Sequence, residues 1–200
     1  MKNFIVLFGF AILIASCGNG GTSSTSVKGA TIDLTGFEIQ DIPSSSYQKV
    51  TKRSSDGVLL EQGMLLNGKR NGMWVKFHPD NEAPQSIVNY VDDVPNGSYF
   101  SFNTRGQLEE MRGYINNEFD GKWATYKFGR TMEEADYQAG KFHATYRSYF
   151  ANSDKIQKEL QYKEGKMHGD YKFFNEEGQV TLQYKYNNDK KVSGGIVKPQ

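Results

Sequence analysis

Between Leu59 and Ser193 the chain alternates short apolar and aromatic runs with pairs of turn-forming residues. Small residues fall at Gly72, Gly97, Gly121, Ala144, Gly169 and Ser193, with spacings of 25, 24, 23, 25 and 24. A large aromatic follows two positions later at Trp74, Tyr99, Trp123, Tyr146 and Tyr171, and a second three beyond that at Phe77, Phe102, Tyr126, Tyr149 and Phe174. Seven residues before each small residue stand Leu65, Tyr90, Tyr114, Tyr137, Tyr162 and Tyr186. Four columns in one register over five or six copies define an internal repeat, the signature of a stacked architecture in which each unit buries its neighbour. Apolar residues in short runs rich in aromatics, bounded by Gly and Asn, predict strands rather than helices.

The residue before each small position is Asn71, Asn96, Asp120, His143 or His168. Asn-Gly and Asp-Gly between strand-like runs are strong hairpin signals, because both residues tolerate positive φ, so a tight loop is expected there. Each unit then continues through a second strand to another turn, such as Thr104-Arg105-Gly106-Gln107 or Asn175-Glu176-Glu177-Gly178. The expected fold is all-β, an elongated antiparallel β-hairpin meander of about a dozen strands, forming an open sheet or trough roughly 55 Å long at about 4.8 Å per strand. Tyr47 to Arg53, the turn Ser54 to Gly57 and Val58 to Leu66 read as a degenerate leading hairpin over the first edge, with one short strand around Ile32 to Ile39. At the far end Val192, Ser193 and Gly194 replace the usual residues, as capping units do.

The stretch Tyr162-Lys163-Glu164-Gly165-Lys166-Met167-His168-Gly169-Asp170-Tyr171-Lys172-Phe173-Phe174-Asn175-Glu176-Glu177-Gly178-Gln179 resembles the MORN repeat, and more closely the variant found in antitoxin-like bacterial proteins. The resemblance covers about Leu59 to Ser193. The fourth copy departs from it, with Ala144 for glycine and the longer turn Ala151 to Asp154, and the first carries the insertion Pro79 to Gln85. It implies a stack of β-hairpins used for binding or scaffolding.

Residues 1–16 have the form of a secretory signal, with Lys2, an apolar run from Phe4 to Ile14, and small Ala15 and Ser16 before Cys17. Ile14-Ala15-Ser16-Cys17 resembles the bacterial lipobox, and the single Cys of the chain stands where lipidation requires it. Acyl chains on one cysteine hold a protein at a membrane through about 0.8 kcal/mol per buried methylene. Gly18 to Ser26 is a flexible tether of roughly 16 Å by random-coil scaling. The expected organisation is a signal peptide over 1–16, the lipidated Cys17 and tether over 17–29, an N-terminal cap over 30–57, the repeats over 58–196 and a tail over 197–200. Gly18 after the cysteine, by analogy with lipoprotein sorting, suits the outer membrane of a bacterial envelope, and a tether without an acidic cluster suits its periplasmic side.

Charge narrows the choice of partner. The chain has 24 Lys plus Arg and 23 Asp plus Glu, and removal of Lys2 with the signal leaves a net charge of zero. Such a chain offers neither a basic footprint for nucleic acid nor attraction to anionic lipid, so the expected membrane contact is the N-terminal anchor alone. One Cys excludes a disulfide framework. His143 and His168 share a repeat position, but the column Asn, Asn, Asp, His, His is a column of turn formers, so no metal is expected. Glu109 and Glu110, Glu133 and Glu134, and Glu176 and Glu177 are neighbours near turns. Adjacent strand residues point to opposite faces, so these pairs do not converge as acid and base and read as solvated. No nucleophile elbow, P-loop or dinucleotide fingerprint is present, and neither a cofactor nor a catalytic site is expected.

The aromatic columns are the candidate chemistry. Trp74 and Phe77 lie three apart, so alternation sends their columns to opposite faces. Either one column is core and the other lines an open face, or curvature buries both. Trp74, Tyr99, Trp123, Tyr146 and Tyr171 form the candidate binding face, because stacked aromatics suit an apolar peptide surface or sugar rings. The expected function is a non-catalytic protein-binding or scaffold module in the cell envelope; the alternatives are an immunity or antitoxin-like protein that neutralises a specific toxin, and an envelope glycan-binding module.

Overall fold

A computed structural model describes residues 31–198. The expected signal peptide, Cys17 and the expected tether lie outside the described residues. The strands are β1 (Phe37–Asp41), β2 (Tyr47–Arg53), β3 (Leu59–Leu66), β4 (Lys69–Arg70), β5 (Gly72–Phe77), β6 (Pro84–Val91), β7 (Val94–Phe102) and β8 (Leu108–Ile115). They continue as β9 (Glu118–Lys127), β10 (Arg130–Gln138), β11 (Lys141–Tyr149), β12 (Ile156–Lys163), β13 (Lys166–Phe174), β14 (Val180–Asn187) and β15 (Lys190–Ile196). All fifteen belong to one antiparallel sheet whose strands follow sequence order, except that the two-residue β4 pairs only with β3 and β3 pairs onward with β5. The sheet is open, with β1 at one edge and β15 at the other. It is the elongated hairpin meander that the repeat implies, with β1 rather than the leading hairpin covering the first edge.

The hairpin turns stand four residues earlier than the Asn-Gly and Asp-Gly pairs suggest. Both central residues have positive φ at Asn67-Gly68, Asp92-Asp93, Asn116-Asn117, Ala139-Gly140, Glu164-Gly165 and Asn188-Asp189, and also at Phe128-Gly129, the second turn of its copy. That is the type I′ geometry whose twist matches the flanking strands. At Asn71-Gly72, Asn96-Gly97, Asp120-Gly121, His143-Ala144 and His168-Gly169 only the second residue is left-handed. In the last four of these the pair lies within a strand, where the register slips against the preceding strand. A single positive φ there makes a bulge rather than a turn. The second turn is where the sequence places it: Asn103 N–H donates to Gln107 O at 3.0 Å and Gly106 N–H to Asn103 O at 2.9 Å, and Asn175 to Gln179 repeats the arrangement.

A second bulge recurs beside these turns. One extra residue, Leu60, Gln85, Glu109, Met132, Gln157 or Thr181, interrupts the register of β3, β6, β8, β10, β12 and β14 against the preceding strand. Each hairpin is also tied to the one before it. In five of these turns the second residue donates its N–H to a carbonyl of the preceding hairpin: Asp93 to Arg70 at 3.0 Å, Asn117 to Pro95 at 2.9 Å, Gly140 to Phe119 at 2.8 Å, Gly165 to Phe142 at 2.9 Å and Asp189 to Met167 at 3.0 Å. These bonds satisfy turn amides that strand pairing leaves over and fix the tilt between consecutive hairpins.

The densest packing is near the N-terminal end. Val50, Leu65 and Trp74 are buried, and Ile32, Leu34, Phe37 and Tyr90 pack against them. Gly63 makes this possible, because a Cβ on it would lie 2.1 Å from the Trp74 ring. The indole occupies the space a side chain would need.

Candidate functional site

Residues paired across antiparallel strands share a face, so the register traces rows along the sheet. One row runs through Ile39, Val50, Gly63 and Trp74, then Val88, Tyr99, Arg112, Trp123, Ala135, Tyr146, Leu160, Tyr171, Tyr184 and Gly194. It gathers all five candidate residues, Trp74, Tyr99, Trp123, Tyr146 and Tyr171, on one face. Beside it on the same face runs a second row, Tyr90, Pro95, Tyr114, Phe119, Tyr137, Phe142, Tyr162, Met167 and Tyr186. The small repeat residues sit opposite these tyrosines, Gly97 to Tyr114, Gly121 to Tyr137 and Ala144 to Tyr162. A small residue there leaves room for the ring.

The two rows interlock. Tyr114 and Phe119 approach edge to face at 5.2 Å, Phe119 and Tyr137 at 5.3 Å, and Trp123 and Tyr137 at 6.5 Å between centroids. Phe142 stacks on Tyr162 at 5.0 Å. Such pairs contribute about 0.5–1.5 kcal/mol each beyond area burial and hold the rings in fixed orientations. Arg112 lies in the row itself, 4.2 Å from the Tyr99 centroid and 5.2 Å from that of Phe119, with Glu110 2.9 Å from its guanidinium.

A third row carries the polar partners. Trp74 Nε1 donates to Glu61 Oε1 at 2.5 Å, and Trp123 Nε1 to Glu110 Oε1 at 2.8 Å. Each carboxylate stands thirteen residues before its indole. In the fourth copy Glu133 holds the same place and is hydrogen-bonded to Tyr146. These glutamates are half-buried strand residues, not the solvated turn residues that their position beside turns suggests. The spacing of thirteen from the aromatic column is the sequence signal that marks them.

Burial raises the tyrosine hydroxyls. Tyr137 is pushed up to about 12 by burial, and Tyr146 and Tyr149 reach about 12 by burial reinforced by Glu133 and Glu134 respectively. Tyr114 and Tyr162 are raised for the same first reason. These five hydroxyls are therefore neutral hydrogen-bonding groups at ordinary pH.

The second aromatic column lies on the opposite face, as alternation requires. Tyr126 Oη donates to Met111 Sδ at 3.1 Å and Tyr149 Oη to Glu134 Oε1 at 2.7 Å. The central row of this face changes character along the sheet, from Val75, Ile87, Phe100, Met111 and Ala124 to Glu134, Arg147, Glu159 and Lys172. Arg147 bridges Glu134 at 3.2 Å and Glu159 at 2.9 Å. Neither column is fully buried: Trp74 is 2% exposed, while Tyr99, Trp123, Tyr146 and Tyr171 are half-buried.

Neither a protein-family model nor a curated protein matches the sequence. The geometry alone therefore carries the functional reading. His143 and His168 are exposed on β11 and β13, with β12 between them. Among the described residues no three His, Cys, Asp or Glu side chains converge as a metal site, and no helix is long and apolar enough to cross a membrane.

Proposed function

We propose that the chain is a lipoprotein of MORN-like repeats, anchored through Cys17 at the outer membrane facing the periplasm, and that its aromatic face is a non-catalytic protein-binding or scaffold surface. The observation that carries this reading is the pair of aromatic-rich rows on one face of a single-layer sheet, half-buried and held in place by Glu61, Glu110 and the ring contacts. Large, pre-oriented rings bind with little loss of side-chain entropy. Edge-to-face packing presents ring edges and hydroxyls rather than flat platforms, which favours a protein partner over stacked sugar rings.

The test is site-specific photocrosslinking of the full chain in cells that make it, from Tyr99 and Tyr171 on the aromatic face and from Met73 and Lys185 on the other. A discrete protein adduct from the first pair alone supports the reading. Equal labelling from both faces, or glycan adducts only, overturns it. Cys17→Ser is expected to move the protein from the membrane fraction to the soluble one; retention in the membrane contradicts the lipid anchor.

A further inference from the structure

The sheet ends in two edge strands whose direction, outward hydrogen-bonding groups and side chains are complementary. We propose that copies of this chain associate head to tail, with β15 of one molecule pairing with β1 of the next so that the sheet continues across the junction.

Direction comes first. Neighbouring strands on the path are antiparallel, and β1 and β15 are the first and last of fourteen, so they run in opposite senses. Laid side by side in two copies they make one more antiparallel pair of the kind that fills the sheet. The free groups also match. Ile42 N–H donates to Tyr47 O at 3.3 Å, one step beyond the pair Asp41–Gln48. Antiparallel residues alternate between bonding inward and outward, so Ile39 and Asp41 direct their N–H and C=O away from β2. At the other edge Val197 N–H donates to Thr181 O at 2.9 Å, which turns Gly194 and Ile196 outward from β14. Placing Gly194 opposite Ile39 joins two outward residues and continues the row that runs through Trp123 on the aromatic face.

That register also matches the side chains. Gly194 holds the row position that earlier copies fill with an aromatic, because β15 has one residue fewer between Lys191 and this row than β9 has between Phe119 and Trp123. No aromatic ring on β15 therefore stands against Ile39, which is 48% exposed, and Ile196, 86% exposed, comes opposite Phe37. Lys191 comes beside Asp41. β1 carries Glu38 and Asp41 with no base, and β15 carries Lys190 and Lys191 with no acid. Lysines on an edge strand normally resist association. Here they oppose β15 against β15, as the acids oppose β1 against β1, and leave β15 against β1 favoured. A junction between two different surfaces does not close at the dimer.

Sedimentation velocity of the full chain in mild detergent, over a range of concentrations, tests the proposal. The wild-type mass is expected to rise with concentration past the dimer. Ile39→Pro and Ile196→Pro each remove an N–H that points away from the sheet, so the interior ladder is spared, and circular dichroism checks that each variant keeps its strands. Each alone is expected to be monomeric. Their equimolar mixture is expected to form a 1:1 dimer and stop there, because one retains a usable β15 and the other a usable β1. Lys191→Glu is expected to weaken association several-fold and Asp41→Lys in the partner to restore it. A wild type that stays monomeric, proline variants that assemble like the wild type, or a mixture that stays monomeric overturns the proposal. None of these outcomes depends on what the aromatic face binds.

Discussion

At Gly63 and Trp74 the protein exchanges a side chain for an indole. A methyl group at Gly63 would lie 2.1 to 2.7 Å from three carbons of the ring, so the indole must move and pull on its bond to Glu61. Gly63→Ala is expected to cost about 1–3 kcal/mol by overpacking. Urea unfolding followed by far-UV circular dichroism measures it; an unchanged midpoint contradicts the packing described here. The Glu110 carboxylate has two partners, Trp123 Nε1 and Arg112. Glu110→Ala leaves an indole N–H and a half-buried guanidinium without this acceptor, at an expected cost of about 1–3 kcal/mol. Glu110→Gln keeps an acceptor for the indole and is expected to recover part of that loss. Of these residues the sequence displays the aromatics plainly, because they recur. It hides the role of Gly63, which no repeat column contains, and of the glutamates, because the corresponding positions Ser86 and Lys158 break their column.

At the scale of the strand and turn, two alanines occupy left-handed backbone, Ala139 with φ 47° and Ala144 with φ 57°. That region costs an L-residue with a Cβ roughly 1–2 kcal/mol, while glycine gives back about 0.4–1 kcal/mol through the freedom of its unfolded chain. Ala144→Gly is therefore expected to stabilise the protein by about 0.5–1 kcal/mol, and Ala139→Asn to do the same through a residue that tolerates the turn; thermal unfolding reads both. The fourth copy thus departs from the repeat at a position where conformation, not contact, asks for glycine. The same backbone logic explains which part of the meander is legible from the residues. Asn-Gly at 96–97 and Asn-Asn at 116–117 are both turn formers, and only the sign of φ at the first residue separates a bulge from a turn. Pairs such as Ala139-Gly140 and Glu164-Gly165 close true hairpins with little compositional signal, so the period survives while the phase of the turns shifts by four residues. The bulges at Gln85, Glu109 and Met132 have no common residue type, and only strand pairing exposes them.

For the whole molecule, buried tyrosines on the two faces make stability depend on alkaline pH in a defined direction. Tyr137, Tyr146 and Tyr149 hold their protons in the folded sheet until about pH 12, the first cause in each case being burial. In the unfolded chain the same hydroxyls ionise near their ordinary value of about 10. The folded state therefore binds more protons than the unfolded state between these values, and stability falls as pH rises through that window. Below pH 10 both states are protonated and the tyrosines contribute no slope. The expected result is a denaturation midpoint that is flat with respect to these groups up to about pH 10 and then drops steeply. Tyr137→Phe is expected to shallow the drop, because it removes a titrating group while keeping the ring that packs on Phe119 and Phe142. Because strands pair only with their neighbours in sequence, the loss need not be uniform along the sheet. The cluster of Val50, Leu65 and Trp74 contains none of these three tyrosines, whereas β10 and β11 contain all of them. Hydrogen exchange at pH 7 and tyrosine absorbance during an alkaline titration together locate the effect: protection is expected to be greatest in β2, β3 and β5, and the alkaline transition to begin in β10 and β11. An alkaline transition that starts in β2 and β3, or a Tyr137→Phe variant with an unchanged slope, contradicts the assignment of the pH dependence to these tyrosines.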